Sequence, residues 1–336
     1  YKNFRIITKM SPKEALAQIP NYLKYMENIK SCSPHTLRAY KRDLTQIFAP
    51  VNSSKSSIND LRGFLSAQLV AMGRLSLATR NRKIGCLKSF LNWLYETRLI
   101  DTALSESFHS PKVPRKMPHF ISFDEVISCL DFLKNRAQVL DLISEIHNRQ
   151  QRLLFLLLYG AGLRISEACN LEFRDLFVSE RKILIRGKGN KERYVVCPEF
   201  VWLEWSNYRN FLKEKYESGL KNKFVFFHIS KVYSLITNSS KPVDSRTGYS
   251  WIRSIGASAG LTQNLNPHAL RHSFATHLLN SGANLRIIQS LLGHATLAAT
   301  EKYTHLNLTQ LYNTMEQSHP LGNALPKESR KIKSNS

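Results

Sequence analysis

Along most of this chain the apolar residues recur at the three- and four-residue spacing of a helix face, and strand-like runs are few. Over Ala15–Met26 the apolar positions are Leu16, Ile19, Leu23 and Met26. Ser33-Pro34 opens a second helix carrying Leu37, Tyr40, Leu44, Ile47 and Phe48. Serine caps such a start, and proline suits the first helical position because the N–H it lacks would be unpaired there. After a polar, serine-rich break at 52–57, helices are predicted over Ile58–Met72 and Ser76–Arg98. The second of these turns Ile84, Leu87, Leu91 and Leu94 inward and Arg80, Arg82, Lys83 and Lys88 outward. The pattern predicts a helical first domain with basic faces over residues 1–109. The stretch SPKVPRKMP (110–118), with three prolines and three basic residues, then reads as an extended linker.

A second domain is predicted over 119–320. Ser122 and Glu125 have the spacing of a capping box. Gln151–Tyr159, QRLLFLLLY, reads as a buried helix that ends at Gly160-Ala161-Gly162. The next helix begins at Leu163–Ala168, with Arg164 and Glu167 three apart. Lys182–Val196 is the one clear strand pair, two β-branched runs about a Gly-Lys-Gly-Asn turn. That hairpin carries Lys188, Lys191 and Arg193. FVFF (224–227) reads as a short strand and Tyr249–Leu261 as a helix. Next, Asn266 caps a helix that starts at Pro267, seats Leu270, Phe274 and Leu278, and places His268 and Arg271 on neighbouring positions of one face. Gly282 stops it, and Asn284 caps a further helix through Leu285, Ile288 and Leu292, which leaves His294 at a turn. Tyr303 follows in a short helical stretch, and residues 321–336 read as a basic, disordered tail.

Composition sharpens this. Lys and Arg total 48 against 25 Asp and Glu, a formal charge of +23. That excess favours a polyanionic partner, since each neutralised phosphate releases condensed counterions. Five scattered cysteines without a C-x-x-C spacing argue against a disulfide framework or a cysteine-rich zinc site. No apolar run approaches a membrane span, and none at the start resembles a secretory signal, so a cytoplasmic protein is expected.

The polar residues of the second domain suit phosphodiester chemistry. Guanidiniums such as Arg164 and Arg271 can hold non-bridging phosphate oxygens against charge repulsion. Tyrosine, with an ordinary pKa of about 10, needs cationic or basic neighbours to act as a nucleophile. His268 and His294 are candidates for that task, and Lys188 could protonate a leaving 5′-oxygen. No metal and no cofactor are needed.

The stretches TLRAYKRDL, SPKVPRKMP, YGAGLRISEACNL, IRGKGNKER, PHALRHSFATHLLNSGANLRIIQSLLGHATL and YTHL together resemble the tyrosine recombinases, or phage integrase family, of the bacterial Xer type. The ending THLNLTQLYNTMEQSHP is most similar to the XerC branch. The resemblance implies a fold that is mainly α with a small β-sheet: a two-domain DNA clamp of a helical SAM-like core-binding domain and a catalytic domain. It implies a catalytic set of Arg164, Lys188, His268, Arg271, His294 and the nucleophile Tyr303, supported by Glu167. Arg80, Arg82, Lys83, Lys88, Lys191 and Arg193 are expected to contact DNA. The implied activity is cutting and rejoining of DNA strands through a 3′-phosphotyrosyl intermediate, without metal or ATP. The implied setting is a tetramer on a dif-type chromosome dimer-resolution site, with a XerD-like partner and an FtsK-type translocase. Ala298-Ala299 departs from the usual Ser/Thr-Thr, and segments 131–148 and 228–247 are longer than usual.

Rival readings are a mobile-element or plasmid integrase with the same chemistry, and a non-enzymatic helix-turn-helix DNA-binding protein using the helix from Leu285. A repressor has no use for a nucleophilic tyrosine. A metal hydrolase on His268 and His272 lacks the glutamate of H-E-x-x-H, since position 269 is alanine. A type IB topoisomerase shares the mechanism but not the Xer organisation.

Overall fold

The structure is a computed structural model that describes residues 10–52, 60–111, 120–136, 141–187, 192–215, 223–228, 241–292 and 305–324. The chain divides into two compact units, Tyr1–Lys116 and Met117–Ser336. Among the described residues the fold is mainly α with one small sheet, as the hydrophobic spacing predicts.

The first unit holds helices α1 (Pro12–Asn28), α2 (Pro34–Phe48), α3 (Leu61–Ala71) and α4 (Leu77–Glu96). Ser11, Ser33, Asp60 and Ser76 cap them, each accepting a first-turn backbone N–H. Their apolar faces meet in one core built on Tyr22, Leu44, Phe48, Phe64, Leu87, Phe90 and Leu94. The outward face predicted for α4 needs one correction. Lys83 is not exposed: its side chain is only 8% accessible, 3.7 Å from the buried carboxylate of Asp43 and 2.7 Å from Gln46 Oε1. An ammonium at the α2–α4 crossing is tolerated because Asp43 supplies the counter-charge. Arg82 pairs with the same carboxylate but stays largely exposed, and Arg80 and Lys88 are half-buried.

The second unit is organised around α6 (Leu142–Gly160), whose Leu153–Tyr159 stretch is buried among α5 (Phe123–Arg136), α8 (Glu199–Lys215), α9 (Ser245–Ser258) and α10 (Pro267–Asn280). α6 starts at Leu142, nine residues ahead of the Gln151–Tyr159 stretch that announces it in the sequence, and is capped by Asp141, which accepts from the Ile143 and Ser144 N–H groups. A short α7 (Ile165–Cys169) follows. The sheet is antiparallel, β1 (Leu176–Phe177), β2 (Lys182–Arg186) and β3 (Glu192–Val196), in that order. β1 is too short to leave a periodic signal. Among the described residues Phe224–Phe227 does not join this sheet; it is buried and makes isolated bridges, Glu172 to Phe224 and Phe227 to Pro242. A wholly apolar run cannot declare its period, which is why it reads as a strand.

Helices α11 (Leu285–Leu292), α12 (His305–Ser318) and α13 (Pro320–Ala324) complete the unit. α13 corrects the tail predicted from 321: Leu321 is fully buried, and its N–H donates to His319 Nδ1 at 3.2 Å. One apolar anchor is enough to order that turn. Residues 325–336 lie outside the described residues. Among the described residues no helix is long and apolar enough to cross a membrane.

Candidate active site

The site begins at the turn between α6 and α7. Gly162 takes φ +61°, a left-handed conformation that releases the chain from α6. Arg164 then caps α7 in extended conformation. Its backbone N–H donates to Glu167 Oε2 at 2.9 Å and its Nη1 to Glu167 Oε1 at 2.8 Å. The three-residue spacing seen in the sequence is therefore a real pair, but an unequal one. Glu167 is 6% exposed and Arg164 is 42% exposed, so the guanidinium is held from beneath and presented outward.

Arg193 completes the grip on that carboxylate. Its Nη1 and Nη2 donate to Glu167 Oε1 and Oε2, both at 2.9 Å, in the two-pronged geometry that suits a guanidinium and a carboxylate. Burial alone would raise the Glu167 carboxyl. The Arg193 hydrogen bonds and charge, with help from Arg164, outweigh it and hold the group down to about 2. Arg193 was expected on the DNA-facing surface of the hairpin; instead it turns inward, with its two terminal nitrogens on Glu167. Strand alternation carries the reason. Arg193 pairs across the ladder with Ile185, and Val195 with Ile183, so all four lie on the face turned to the core. An arginine on that face needs an acid opposite it, and Glu167 is the acid.

Arg271 arrives from α10. Asn266 Oδ1 accepts from Ala269 N–H at 2.9 Å, Pro267 occupies the first turn, and buried Leu270, Phe274 and Leu278 seat the helix. Arg271 Nη1 donates to the carbonyl of Gly162 and Nη2 to the carbonyl of Leu292, so one side chain ties α10 to the α6–α7 turn and to the end of α11. Burial, then the charge of Arg164, lowers its pKa to about 10, which leaves it cationic at neutral pH. That Arg164 and Arg193 both act on it places three guanidiniums together.

His268 stands exposed in the first turn of α10. Lys188, Lys191, His294 and Tyr303 lie outside the described residues. The strands flanking Lys188 are described, and their base is braced by residues that the sequence reading passed over. Arg186 Nη1 donates to buried Asp175 Oδ2 at 2.8 Å, and its Nε to Glu192 Oε1 at 3.2 Å. Arg186 and Glu192 face each other in the ladder, so the opposite charges at equal distances from the turn were there to read.

Chemically, three guanidiniums around one carboxylate leave an excess of positive charge facing outward through Arg164. That arrangement receives an anion with more than one acceptor oxygen, as a phosphodiester has. Among the described residues no group of three His, Cys, Asp or Glu is placed to hold a metal ion.

Residues 121–310 match the phage integrase family, and residues 19–98 match the phage integrase N-terminal SAM-like domain. Tyrosine recombinase XerC of Thermodesulfovibrio yellowstonii is 33% identical over 308 residues, which span 90% of this chain and 96% of that protein. Tyrosine recombinase XerC of Escherichia coli O127:H6 is 32% identical over 312 residues, 90% of this chain and 96% of the other. Two solved structures share the fold. XerH recombinase bound to a palindromic difH substrate, a post-cleavage complex, superposes with a TM-score of 0.63 at 21% identity, covering 92% of this chain and 97% of that one. A lambda integrase tetramer bound to a Holliday junction does so with a TM-score of 0.61 at 14% identity, covering 94% and 82%. By these matches the chain belongs to the phage integrase family of tyrosine recombinases and is a site-specific DNA recombinase.

Proposed function

We propose that this recombinase resolves chromosome dimers in the cytoplasm, in the manner of XerC, at a dif-type site. It would act as part of a tetramer on DNA with a XerD-like second recombinase, under an FtsK-type translocase. The observation that carries the chemical part is the Arg164–Glu167–Arg193–Arg271 cluster, an outward-facing cationic site built on a buried carboxylate. The biological part rests on likeness to proteins named XerC over nine-tenths of the chain.

In this reading Arg164 and Arg271 hold the non-bridging oxygens of the scissile phosphate. Tyr303 Oη attacks the phosphorus, the bond to the 5′-oxygen breaks, and a 3′-phosphotyrosyl link forms. Lys188 gives the proton to the departing 5′-oxygen; His268 and His294 assist proton movement and charge stabilisation around the phosphate. The covalent link conserves the energy of the broken phosphodiester, so resealing by the incoming 5′-hydroxyl requires no nucleotide. Arg80, Arg82, Lys88 and Lys191 contact the duplex backbone.

Covalent trapping tests the reading. With EDTA present, wild type is incubated with a nicked duplex carrying a dif-type site and a XerD-like partner, next to Tyr303→Phe. A denaturant-stable adduct in wild type and none in the variant is expected. An adduct that persists in Tyr303→Phe overturns the nucleophile, and one lost only on chelation overturns the metal-free mechanism. Cleavage confined to a mobile-element end, with none at dif-type sequences, overturns the chromosomal role and leaves the chemistry intact.

A further inference from the structure

The hairpin arginine has a role that none of the comparisons assigns. We propose that Arg193 is a positioning residue for strand cleavage: it locks the Glu167 carboxylate in one orientation, and Glu167 in turn fixes the Arg164 guanidinium against the scissile phosphate. The inference rests on Arg164 holding that phosphate.

The geometry gives the order of dependence. Arg164 has a single side-chain hydrogen bond to Glu167, from Nη1, and its backbone N–H makes a second. Each carboxylate oxygen of Glu167 therefore accepts from Arg164 on one side and from Arg193 on the other. The Arg193 guanidinium is the more buried of the two, at 21% against 42% exposure, and it grips with both prongs. A single hydrogen bond lets an acceptor pivot; a paired fork does not. Arg193 is thus the fixed end of the chain of contacts and Arg164 the presented end. The arrangement also crosses the fold. Arg193 lies on β3, Glu167 on α7, and Arg164 at the turn from α6, whose Gly162 carbonyl accepts from Arg271. The sheet is thereby registered to the turn that carries Arg164 and accepts the hydrogen bond from Arg271.

A plain DNA contact and a positioning role make different demands on pH. With Arg193 present, the Glu167 carboxyl lies near 2, far below any assay range, because the Arg193 hydrogen bonds and charge overcome the effect of burial. Without that guanidinium burial remains and its strongest opponent is gone, so the carboxyl titrates at higher pH. Protonated Glu167 cannot take both Arg164 hydrogen bonds. Arg164 and Arg271 still oppose that rise, so an Arg193→Gln enzyme should lose cleavage toward acid pH more steeply than wild type.

The experiment compares single-turnover cleavage of the nicked duplex at saturating enzyme, from pH 6 to 8.5, for wild type, Arg193→Gln, Arg193→Lys, Glu167→Gln, Arg193→Gln/Glu167→Gln and Arg164→Ala. DNA affinity and thermal unfolding are measured for each. Arg193→Gln should lose about 10- to 100-fold in cleavage rate, the scale of a misplaced catalytic group, with the loss at pH 6 no smaller than at pH 8.5 and DNA affinity changed less than about threefold. Arg193→Lys keeps the charge without the fork and should fall between, which also serves if the glutamine variant does not fold. In the Glu167→Gln background, Arg193→Gln should add less than about twofold, because the two residues act as one unit. A loss that multiplies with that of Glu167→Gln would overturn the proposal, as would a loss confined to DNA affinity. The underlying reading fails separately: if Arg164→Ala cleaves as fast as wild type, the phosphate-holding role is wrong. If Arg164→Ala is slow and Arg193→Gln is not, only the positioning role is wrong.

Discussion

Gly162 shows how much a single position can carry in this fold. Its φ of +61° is accessible to glycine at no cost, and a Cβ built there would lie 2.6 Å from the ring of Phe274 and 3.2 Å from Leu292 Cδ2. Its carbonyl also accepts a hydrogen bond from Arg271. Gly162→Ala combines a strained backbone with an overpacked contact, which together cost about 2–4 kcal/mol. Urea unfolding should show that loss. Cleavage at saturating DNA should fall with it, because Phe274 is on the same helix as Arg271 and must move to admit the methyl group. An unchanged unfolding midpoint would mean that the turn relaxes freely and that the close approach is not a constraint. Glu167 makes the complementary case. A buried carboxylate is costly alone, and here it is stable because two guanidiniums hydrogen-bond to it and a third lies near.

At the scale of elements, the segment from α12 to α13 is pinned by a histidine. His319 is fully buried, its ring among those of Tyr159, Phe200 and Phe274. Nδ1 accepts from Leu321 N–H, so Nε2 carries the proton and faces the Tyr159 carbonyl at 3.4 Å. Burial pushes its pKa down to about 3, only partly offset by that carbonyl, and nearby His277 adds to the lowering. In the unfolded chain a histidine titrates near about 6.5. Between those values the unfolded chain binds more protons than the folded one, so stability is full above about 6.5 and declines as pH falls toward 3. Burial lowers His277 as well, with the same sign. Thermal unfolding from pH 8 to 4 should therefore show a steep loss in wild type below pH 6.5. His319→Gln should be less stable at pH 8 and have a shallower slope below 6.5. Parallel slopes in the two proteins would show that His319 does not carry the pH dependence.

For the whole molecule, charge is the quantity that matters most. A formal +23 is the excess of base left even if every acid is paired, and it predicts binding that weakens steeply with salt. If roughly six to ten phosphates are contacted, affinity should fall about 10³- to 10⁵-fold between 50 and 200 mM salt. Titration of a labelled duplex at several salt concentrations measures the slope directly. A flat response would set the basic faces aside as solvated surface. Arg82 stays in the proposed contacting set because it is exposed while paired with Asp43; Lys83 leaves it, because Asp43 and Gln46 hold it inside.

Helical spacing, cap residues and turn glycines were enough to place most of the helices and the hairpin, because those signals are local. Ser33-Pro34, Asn266-Pro267 and Gly282 act on their immediate neighbours, and the structure places a helix end at each. The pairing of Arg164 with Glu167 was also local, three residues apart on one turn. The sequence could not reveal which acid the hairpin arginine would meet, since 26 residues separate Arg193 from Glu167. The ladder register sets Arg193 on the inner face with Val195, against the expectation of a DNA contact, and only folding brings α7 beneath that face. The same holds for Lys83, whose partner Asp43 sits on another helix, and for Leu321, which looked like tail until a buried pocket of aromatic rings received its neighbour His319. Charge complementarity between distant segments is a property of packing, so tertiary structure alone decides which cations face the solvent and which serve the site.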